Sequence, residues 1–383
     1  MDFSLPDDAR ALRDLAHRFA VEEMRPRAAQ CDESESFPWD VVHRAAAVGL
    51  TAYALPEAHG GGGITDVLSR CLVDEELFWG CAGMATALGG TLLAATPIVL
   101  AGTPEQQAAF LPRLCDPDHA RLGAFALTEP DAGSDPSRMT TRATRDGSDY
   151  VLSGTKCFIT NGGLADVYVV FATVEPRAGL RGITAFIVDG ATPGVTGGRQ
   201  ERKLGIRASH TAMVHFQDAR IPDTCRLGAE GEGFRIAMRT LDHSRASVAA
   251  GAVGIARAAY EVARDYAGER RQFGRPIGEF QGIGFMLADM HTAIDAARLL
   301  CWRAAWLADR GLPCAKESAM AKAFAADVAM RVTTDAVQVL GGYGYSREYP
   351  VEKWMRDAKV MQIYEGTAQI QRVVIARHLA GVV

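Results

Sequence analysis

The sequence predicts an α+β protein in which two helical regions flank a β-rich middle. Apolar residues recur with helical spacing over residues 1–120 and 227–383, whereas short β-rich runs separated by turn residues occupy residues 121–226. A chain of 383 residues is long enough for two or three well-buried domains. We therefore expect an N-terminal α-helical domain (1–120), a middle antiparallel β-barrel or sandwich domain (121–226) and a C-terminal four-helix-bundle domain (227–383).

The first region carries two helix-start signals and one long uncharged stretch. Ser4-Leu-Pro-Asp7 resembles a capping signal, and Thr103-Pro104-Glu105-Gln106 combines a cap, a first-turn proline and a capping-box glutamine. Residues from Trp39 to Val48 have the pattern of a further helix. The stretch from Leu77 to Pro104 has the length of a membrane span, but it is rich in Ala, Gly and Thr. We expect a buried helix or helix pair there, and no membrane.

The middle region shows alternating β-rich runs with few intervening helices, which favours a mainly antiparallel sheet. Turn residues such as Asp146-Gly147, Ser153-Gly154 and Asn161-Gly-Gly163 separate the runs. The predicted strands are Gly123–Thr128, Thr140–Thr144, Tyr150–Leu152, Cys157–Thr160, Val167–Thr173 and Ile183–Val188.

The last region is Ala-rich and helical. A polar connection from Glu269 to Pro276 separates its first two segments. Long helices joined by short loops are typical of a four-helix bundle. The predicted helices span 231–268, 278–309, 315–340 and 366–380.

Composition excludes several classes of function. The net charge is −5 and the chain has no long basic run, so we expect no nucleic-acid partner. The 8 cysteines lack Cys-x-x-Cys and zinc-ligand spacing, which predicts no metal site and the reduced thiols of a cytoplasmic protein. The segment from Met1 to Asp8 is acidic and lacks the charge order of a signal peptide.

Glu365 is the strongest catalytic candidate. It lies between Tyr364 and Gly366, among apolar neighbours, just before a predicted helix that Thr367 can cap. Desolvation raises the pKa of such a carboxylate and a positive helix end lowers it, a balance that suits a general base. The alternative is an ordinary first-turn glutamate that the helix dipole stabilises.

Two segments of the β-rich region could hold a heterocyclic cofactor. After the strand that ends at Thr128, Gly133 and Ser134 lie in a turn whose N–H groups could bind a phosphate. Alternation places Phe158 and Thr160 on one strand face, where they could contact a flavin. The alternatives are a surface turn and a half-buried sheet. No Gly-x-Gly-x-x-Gly or Walker sequence is present, so a Rossmann crevice is not expected.

Six motifs in order along the chain carry a resemblance to one family. From about residue 5 to 380 the sequence resembles the acyl-CoA dehydrogenases, and Arg245–Ala258 is most similar to the medium-chain members. The motifs are Leu127-Thr-Glu-Pro-Asp-Ala-Gly-Ser-Asp135, Gly154-Thr-Lys-Cys-Phe-Ile-Thr-Asn161, Lys203-Leu-Gly-Ile-Arg207, Glu269-Arg-Arg-Gln-Phe-Gly274, Gln338-Val-Leu-Gly-Gly342 and Ile363-Tyr-Glu-Gly-Thr367.

The resemblance implies an FAD-dependent oxidoreductase of fatty acid β-oxidation. Such an enzyme converts an acyl-CoA thioester to the trans-2-enoyl-CoA, with Glu365 as the base and flavin N5 as the hydride acceptor. Electrons then leave through electron-transferring flavoprotein, and the assembly is a homotetramer, a dimer of dimers. Two alternatives within the same fold are an acyl-carrier-protein-linked dehydrogenase of a biosynthetic pathway and a flavin oxidase or monooxygenase.

The resemblance also implies roles for individual residues. Contacts with the FAD of the same subunit fall on Phe125, Leu127, Thr128, Gly133, Ser134, Phe158, Thr160, Thr367 and Gln369. Contacts with the FAD of a neighbouring subunit fall on Arg270, Gln272, Gln281, Gln338, Gly341 and Gly342. Contacts with the acyl-CoA fall on Ser134, Asp242, Arg245, Tyr364 and Gly366.

Three positions depart from the family pattern. Phe158 stands where Trp is frequent, His243 where a small residue is frequent, and Gln369 where Glu is frequent. We expect a thinner flavin wall at Phe158 and a satisfied surface or bundle histidine at His243. Relatives with the base on an earlier helix carry it at the position of Ser244, which cannot act as a base.

Overall fold

A computed structural model of the chain describes residues 4–380, and it confirms the predicted order of a helical region, a sheet and a second helical region. A π-helical turn, Ala20–Met24, joins the first two helices. The N-terminal helices are α1 (Asp7–Phe19), α2 (Arg25–Ser34), α3 (Trp39–Ala47), α4 (Val67–Ala101) and α5 (Pro104–Leu114).

The two predicted helix starts have different outcomes. The capping box before α5 is confirmed: Gln106 N–H donates to Thr103 Oγ1 at 3.3 Å, and Thr103 N–H donates to Gln106 Oε1 at 2.9 Å. The capping signal at Ser4 is wrong, because the N-cap of α1 is Pro6. The acidic residues Asp7 and Asp8 then occupy the first turn, where the helix dipole favours them.

Helix α4 is the long apolar element of the first region. It has 35 residues, and its backbone breaks at Cys81 (φ −162°, ψ 114°), so the prediction of a buried helix or helix pair is confirmed. By length and composition it could cross a membrane. It packs instead along the C-terminal helices and the sheet as part of the main core.

The middle region forms one eight-stranded, mainly antiparallel sheet in the order β6-β7-β3-β2-β4-β5-β8, with β1 added in parallel beside β4. Both of its faces are buried: Tyr150 and Phe186 belong to the main core on one face, and Phe171 belongs to a second core on the other. The strands are β1 (Gly123–Ala126), β2 (Arg142–Asp146), β3 (Asp149–Thr160), β4 (Val167–Thr173), β5 (Ile183–Asp189), β6 (Val195–Gln200), β7 (Thr211–Pro222) and β8 (Arg226–Leu227).

Several strand predictions need correction. Ser153-Gly154 is not a turn; β3 runs through it as one strand with a register shift between Leu152 and Gly154. A side chain at Gly154 would meet Thr141, so the position needs glycine to let β3 pass close to that residue. Strand β1 ends at Ala126 and not at Thr128. Strands β6, β7 and β8 lie outside the predicted set.

The C-terminal region contains the four predicted bundle helices and one that was missed. Short strands β9 (Arg271–Gln272) and β10 (Arg275–Pro276) form a hairpin in the polar connection. The missed helix is α9, whose amphipathic sequence lies between two predicted helices. The helices are α6 (Gly233–Glu269), α7 (Gln281–Asp309), α8 (Ala315–Leu340), α9 (Val351–Met361) and α10 (Ala368–Ala380).

Helices α4 and α6 touch through glycines. A Cβ built on Gly254 would lie 2.2 Å from the carbonyl oxygen of Glu75, and one built on Gly251 would lie 2.8 Å from the ring of Phe78. Such distances leave no room for a methyl group at either position. The two glycines therefore fix how closely the first and last helical regions approach.

We expect Gly254→Ala to lower stability by about 1–3 kcal/mol, because the added methyl group overpacks this contact. Gly268→Ala, on the same helix, is the matched control, since a Cβ there meets no atom within 4 Å. That change should be neutral or should stabilise by up to about 1 kcal/mol through helix propensity. Thermal unfolding of both variants tests the contact, and equal melting temperatures would refute it.

Candidate active site

Glu365 lies on the tight loop between α9 and α10. Its backbone is left-handed (φ 51°), and Gly366 follows with φ 89°. Thr367 is the N-cap of α10, as predicted, because its Oγ1 accepts from the N–H of Ile370 at 3.2 Å. A non-glycine residue in this conformation persists only where its surroundings hold it. The surroundings of the loop therefore determine the position of this carboxylate.

Two buried side chains hold the loop. Lys322 on α8 is 1% exposed, and its Nζ donates to the carbonyl oxygens of Tyr364 (2.8 Å) and Gly366 (2.7 Å). Gln371 is fully buried and its Nε2 donates to the carbonyl oxygens of Glu365 (3.2 Å) and Gly366 (3.1 Å). Each carbonyl of the turn is thus tied to a donor from a flanking helix.

The carboxylate of Glu365 meets α6 through Ser244, whose Oγ donates to Oε2 at 2.9 Å. Burial raises the pKa of Glu365 above its ordinary value. The Ser244 hydrogen bond and the positive charges of Arg245 and Lys322 oppose this rise in the pKa. A carboxyl with a raised pKa beside two cations can accept a proton near neutral pH.

The predicted substrate residues other than Ser134 lie on the Glu365 loop or on the turn of α6 that contacts it. Arg245 is 6% exposed and donates to Asp242 at 2.5 Å, while its Nε has no hydrogen-bond partner among residues 4–380. Tyr364 donates its hydroxyl to the sulfur of Met361 at 3.1 Å. His243 is exposed and its Nδ1 lies 3.1 Å from the carbonyl oxygen of Arg239, which agrees with the surface interpretation.

A second group of predicted residues forms a wall where the β1 loop meets β3. The N–H of Cys157 donates to the carbonyl oxygen of Thr128 at 3.0 Å. Phe158 is 66% exposed with φ 55°, and Thr160 is on the same, more open face, as alternation predicted. A bulge between Lys156 and Ile159 turns the Phe158 ring outward.

The bulge also buries Lys156, whose role the sequence did not predict. Its Nζ is fully buried and donates to Glu129 Oε1 (2.8 Å) and to the carbonyl oxygen of Leu127 (3.0 Å). Glu129 further accepts from the N–H groups of Thr140 (2.6 Å) and Thr141 (3.0 Å). The charge of Lys156 and these hydrogen bonds hold the pKa of Glu129 at about 2 despite burial. The pair anchors the loop that carries Thr128.

The remaining residues predicted for the same wall differ in exposure. Phe125 is half-buried and packs on Phe171 with ring centroids 4.9 Å apart, so it supports the wall from the core side. Gly133, Ser134 and Gln369 are exposed.

Most of the residues predicted to meet a neighbouring cofactor line a separate cavity of about 660 Å³ at the far end of α6. Four of them, Arg270, Gln272, Gly341 and Gly342, contribute to its lining together with Tyr343. Arg270 lies over the Tyr343 ring at 5.6 Å. Gln281 and Gln338 are exposed at helix ends outside this lining.

The residues present fit FAD. On one strand face, the exposed aromatic ring can pack against an isoalloxazine ring and the hydroxyl can form a hydrogen bond with it. An arginine beside an aromatic ring and two glycines suits a phosphate or adenine group. No group of three or more His, Cys, Asp or Glu within residues 4–380 is arranged to hold a metal ion.

Comparisons with known proteins agree with this geometry over almost the whole chain. Family models described as the N-terminal, middle and C-terminal domains of acyl-CoA dehydrogenase match residues 6–118, 124–219 and 231–380. An acyl-CoA dehydrogenase of Bacillus subtilis is 47% identical over 371 residues, which is 97% of each chain.

Two solved structures have the same fold. Butyryl-CoA dehydrogenase from Megasphaera elsdenii superposes with a TM-score of 0.96 at 46% identity, covering 99% of this chain and 100% of that one. A chain in a structure described as the electron transferring flavoprotein of Acidaminococcus fermentans has a TM-score of 0.96 at 45% identity, with 99% and 100% coverage.

We expect Lys156→Met to destabilise the protein by about 3–5 kcal/mol, because it leaves the Glu129 carboxylate buried without its cation. The cofactor-loaded protein should also lose flavin, since the Thr128 loop loses its anchor. Arg220→Met is the matched control, because its pairs with Asp146 and Asp149 are exposed and contribute about 0–1 kcal/mol. Urea unfolding and flavin absorbance give the two measurements. Equal losses in the two variants would contradict the anchor role.

Proposed function

The chain belongs to the acyl-CoA dehydrogenase family, and we propose that Glu365 is the base that removes the α-proton of its acyl-CoA substrate. One observation carries this proposal: the carboxylate of Glu365 is half-buried, has a raised pKa and is held on a loop that Lys322 clamps on both sides. The product is the trans-2-enoyl-CoA, and electrons pass to electron-transferring flavoprotein.

The loop also offers a donor for the thioester carbonyl. The backbone N–H of Glu365 makes no hydrogen bond with any residue in the described range 4–380. A free N–H beside the base can donate to the thioester oxygen, where negative charge develops as the α-proton leaves. Arg245 and Lys322 add positive charge near the ionised carboxylate, while the apolar neighbours exclude water.

We propose FAD as the cofactor, held by Thr128, Phe158 and Thr160 on one subunit and by Arg270 and the Gly341–Gly342 turn of another. FAD supplies the acceptor for the hydride that leaves the β-carbon. The protein orients the substrate between this acceptor and the Glu365 carboxylate.

Assembly supports the same proposal. Phe273 is 93% exposed with φ 51°, and Tyr345 and Phe285 are 87% and 65% exposed. Large apolar side chains left in water at one end of the bundle indicate a surface that another subunit or the cofactor covers. We propose a cytoplasmic homotetramer, a dimer of dimers, with a short straight-chain acyl-CoA as substrate, as the name of the Megasphaera enzyme suggests.

We expect Glu365→Gln to bind FAD and acyl-CoA and to lose dehydrogenation by at least ~10²–10⁴-fold, the usual contribution of a positioned base. The amide keeps the shape of the side chain and the Ser244 contact, so folding should not change. Anaerobic bleaching of the flavin by butyryl-CoA measures the loss. Bleaching at the wild-type rate would place the base at another residue.

We expect Arg270→Ala to weaken FAD retention and subunit assembly together. A charge-assisted hydrogen bond from Arg270 to the FAD of a neighbouring subunit would hold both the cofactor and the two subunits in place. Arg264→Ala is the matched control: it is an exposed arginine near the same end of α6, paired with Asp265 at 2.7 Å. Gel filtration with absorbance at the flavin maximum measures assembly and cofactor in one run. A fully yellow tetramer of the Arg270 variant would exclude it from this contact.

A further inference from the structure

Ile206 has a strained backbone that a buried carboxylate holds. It is a β-branched residue with φ 46°, and its side chain is buried. A β-branched residue rarely adopts this left-handed conformation, so the surrounding contacts must maintain it. The N–H of Ile206 donates to Oδ1 of Asp357 at 2.5 Å, and Asp357 is fully buried on α9. The turn that contains Ile206 is therefore held by a side chain of the helix that precedes the Glu365 loop.

This turn lies directly on the backbone of α9. A Cβ built on Gly205 would lie 2.4 Å from the carbonyl carbon and oxygen of Arg356, so no side chain fits at that position. The second carboxylate oxygen of Asp357 accepts from Nζ of Lys353 at 2.6 Å, and the same Nζ lies 3.6 Å from Cys81 Sγ on α4. Because both of its oxygens are engaged, the Asp357 carboxylate has a fixed position from which it holds the turn against α9.

On one side, the turn leads to the strand end that carries Thr160. The carbonyl oxygen of His210 accepts from the N–H of Asn161 at 2.9 Å, and Thr160 lies opposite Thr211 in the antiparallel pair of β3 and β7. Only a few residues of chain separate Ile206 from these contacts. A displacement of Ile206 therefore moves the end of β3, where Thr160 is proposed to contact the flavin.

On the other side, α9 leads to Glu365. The loop stays bonded to the end of this helix, because the N–H of Tyr364 donates to the carbonyl oxygen of Val360 at 3.0 Å. A movement of α9 is therefore passed directly to Glu365. Through its hydrogen bond with Ile206, Asp357 joins the segment that carries Glu365 to the segment that leads to Thr160.

We propose that Asp357 is a positioning residue for dehydrogenation: its hydrogen bond with the Ile206 N–H sets the distance between the Glu365 carboxylate and the flavin beside Thr160. Because it is fully buried, Asp357 acts through Ile206 and not by touching the substrate. This inference rests on the proposed function, since that function places the base after α9 and the hydride acceptor beside Thr160. The distance matters because a misplacement of about 1 Å between reacting groups can cost ~10²-fold in rate.

The test compares two FAD-loaded double variants that both remove the buried charges. Lys353→Met/Asp357→Asn keeps an acceptor oxygen for the Ile206 N–H, and Lys353→Met/Asp357→Val removes it. Apolar residues often replace a buried ion pair without loss of stability, so the valine variant should melt at the same temperature as the asparagine variant or higher. Its anaerobic flavin bleaching by butyryl-CoA, measured per bound FAD, should nevertheless be roughly tenfold to a hundredfold slower. The asparagine variant should keep most of the wild-type rate.

A loss of rate without a loss of stability separates positioning from a merely structural role, which would lower both together. Lys353→Met/Asp357→Ala, which also lacks an acceptor, repeats the comparison should the valine variant not fold. Equal bleaching rates in the variants with and without the acceptor would overturn the role of Asp357.

Hydrogen exchange followed by mass spectrometry gives a readout that does not depend on activity. Peptides that cover residues 203–211 and 362–368 should exchange faster in the valine variant than in the asparagine variant, because the contact between the turn and α9 is lost. Strand β5, away from this contact, is the internal control and should exchange equally in both. Unchanged exchange in the two segments would also overturn the role of Asp357. The exchange difference does not depend on which residue is the base, so wild-type bleaching by Glu365→Gln would count against the proposed function alone.

Discussion

The geometry of the site depends on the two hydrogen bonds that Lys322 donates to the loop that carries Glu365. A buried ammonium group needs acceptors, and the Tyr364 and Gly366 carbonyls supply them at 2.8 and 2.7 Å. Burial lowers the pKa of this lysine to about 8, and the charge of Glu365 opposes the shift. The same cation thus fixes the shape of a strained turn and moderates the basicity of the carboxylate within it.

Buried lysines play similar structural parts elsewhere in the fold. Lys156 ties the loop after β1 to β3 through Glu129 and a backbone carbonyl. Lys353 donates to Asp357 at 2.6 Å and lies 3.6 Å from Cys81, where α4 breaks. Each lysine holds a segment whose backbone cannot follow regular secondary structure. Burying a lysine ammonium group costs free energy, so each of these lysines needs all of its hydrogen-bond acceptors. The loss of one acceptor would disturb the site before it disturbed the fold.

Local patterns were sufficient for most helices and for placing Glu365 on a loop before a helix that Thr367 caps, because caps and apolar periodicity are local signals. They were insufficient where long-range contacts decide the conformation. Gly154 looked like a turn because glycine punctuates loops, but its function is to let β3 pass close to Thr141. By strict alternation, Lys156 would point to the same face of the strand as Phe158 and Thr160. The bulge that follows Lys156 breaks this alternation, so its side chain is buried while Phe158 is exposed. Lys322 interrupts the alanine-rich face of α8, and this was the sequence signal for its buried role. The two carbonyl oxygens that it contacts lie 42 and 44 residues further along the chain, so the sequence did not identify them.

The length of α6 has a consequence for how the cofactor is shared. Ser244 contacts Glu365, and Arg270 lies at the far cavity, 26 residues further along the chain. That span of α-helix is about 39 Å long, which exceeds the reach of a dinucleotide. One bound FAD therefore cannot touch both ends within the same chain. If both ends bind FAD, each cofactor bridges two polypeptides. The flavin content of a preparation then measures how many subunit interfaces have formed, and not how many chains have folded.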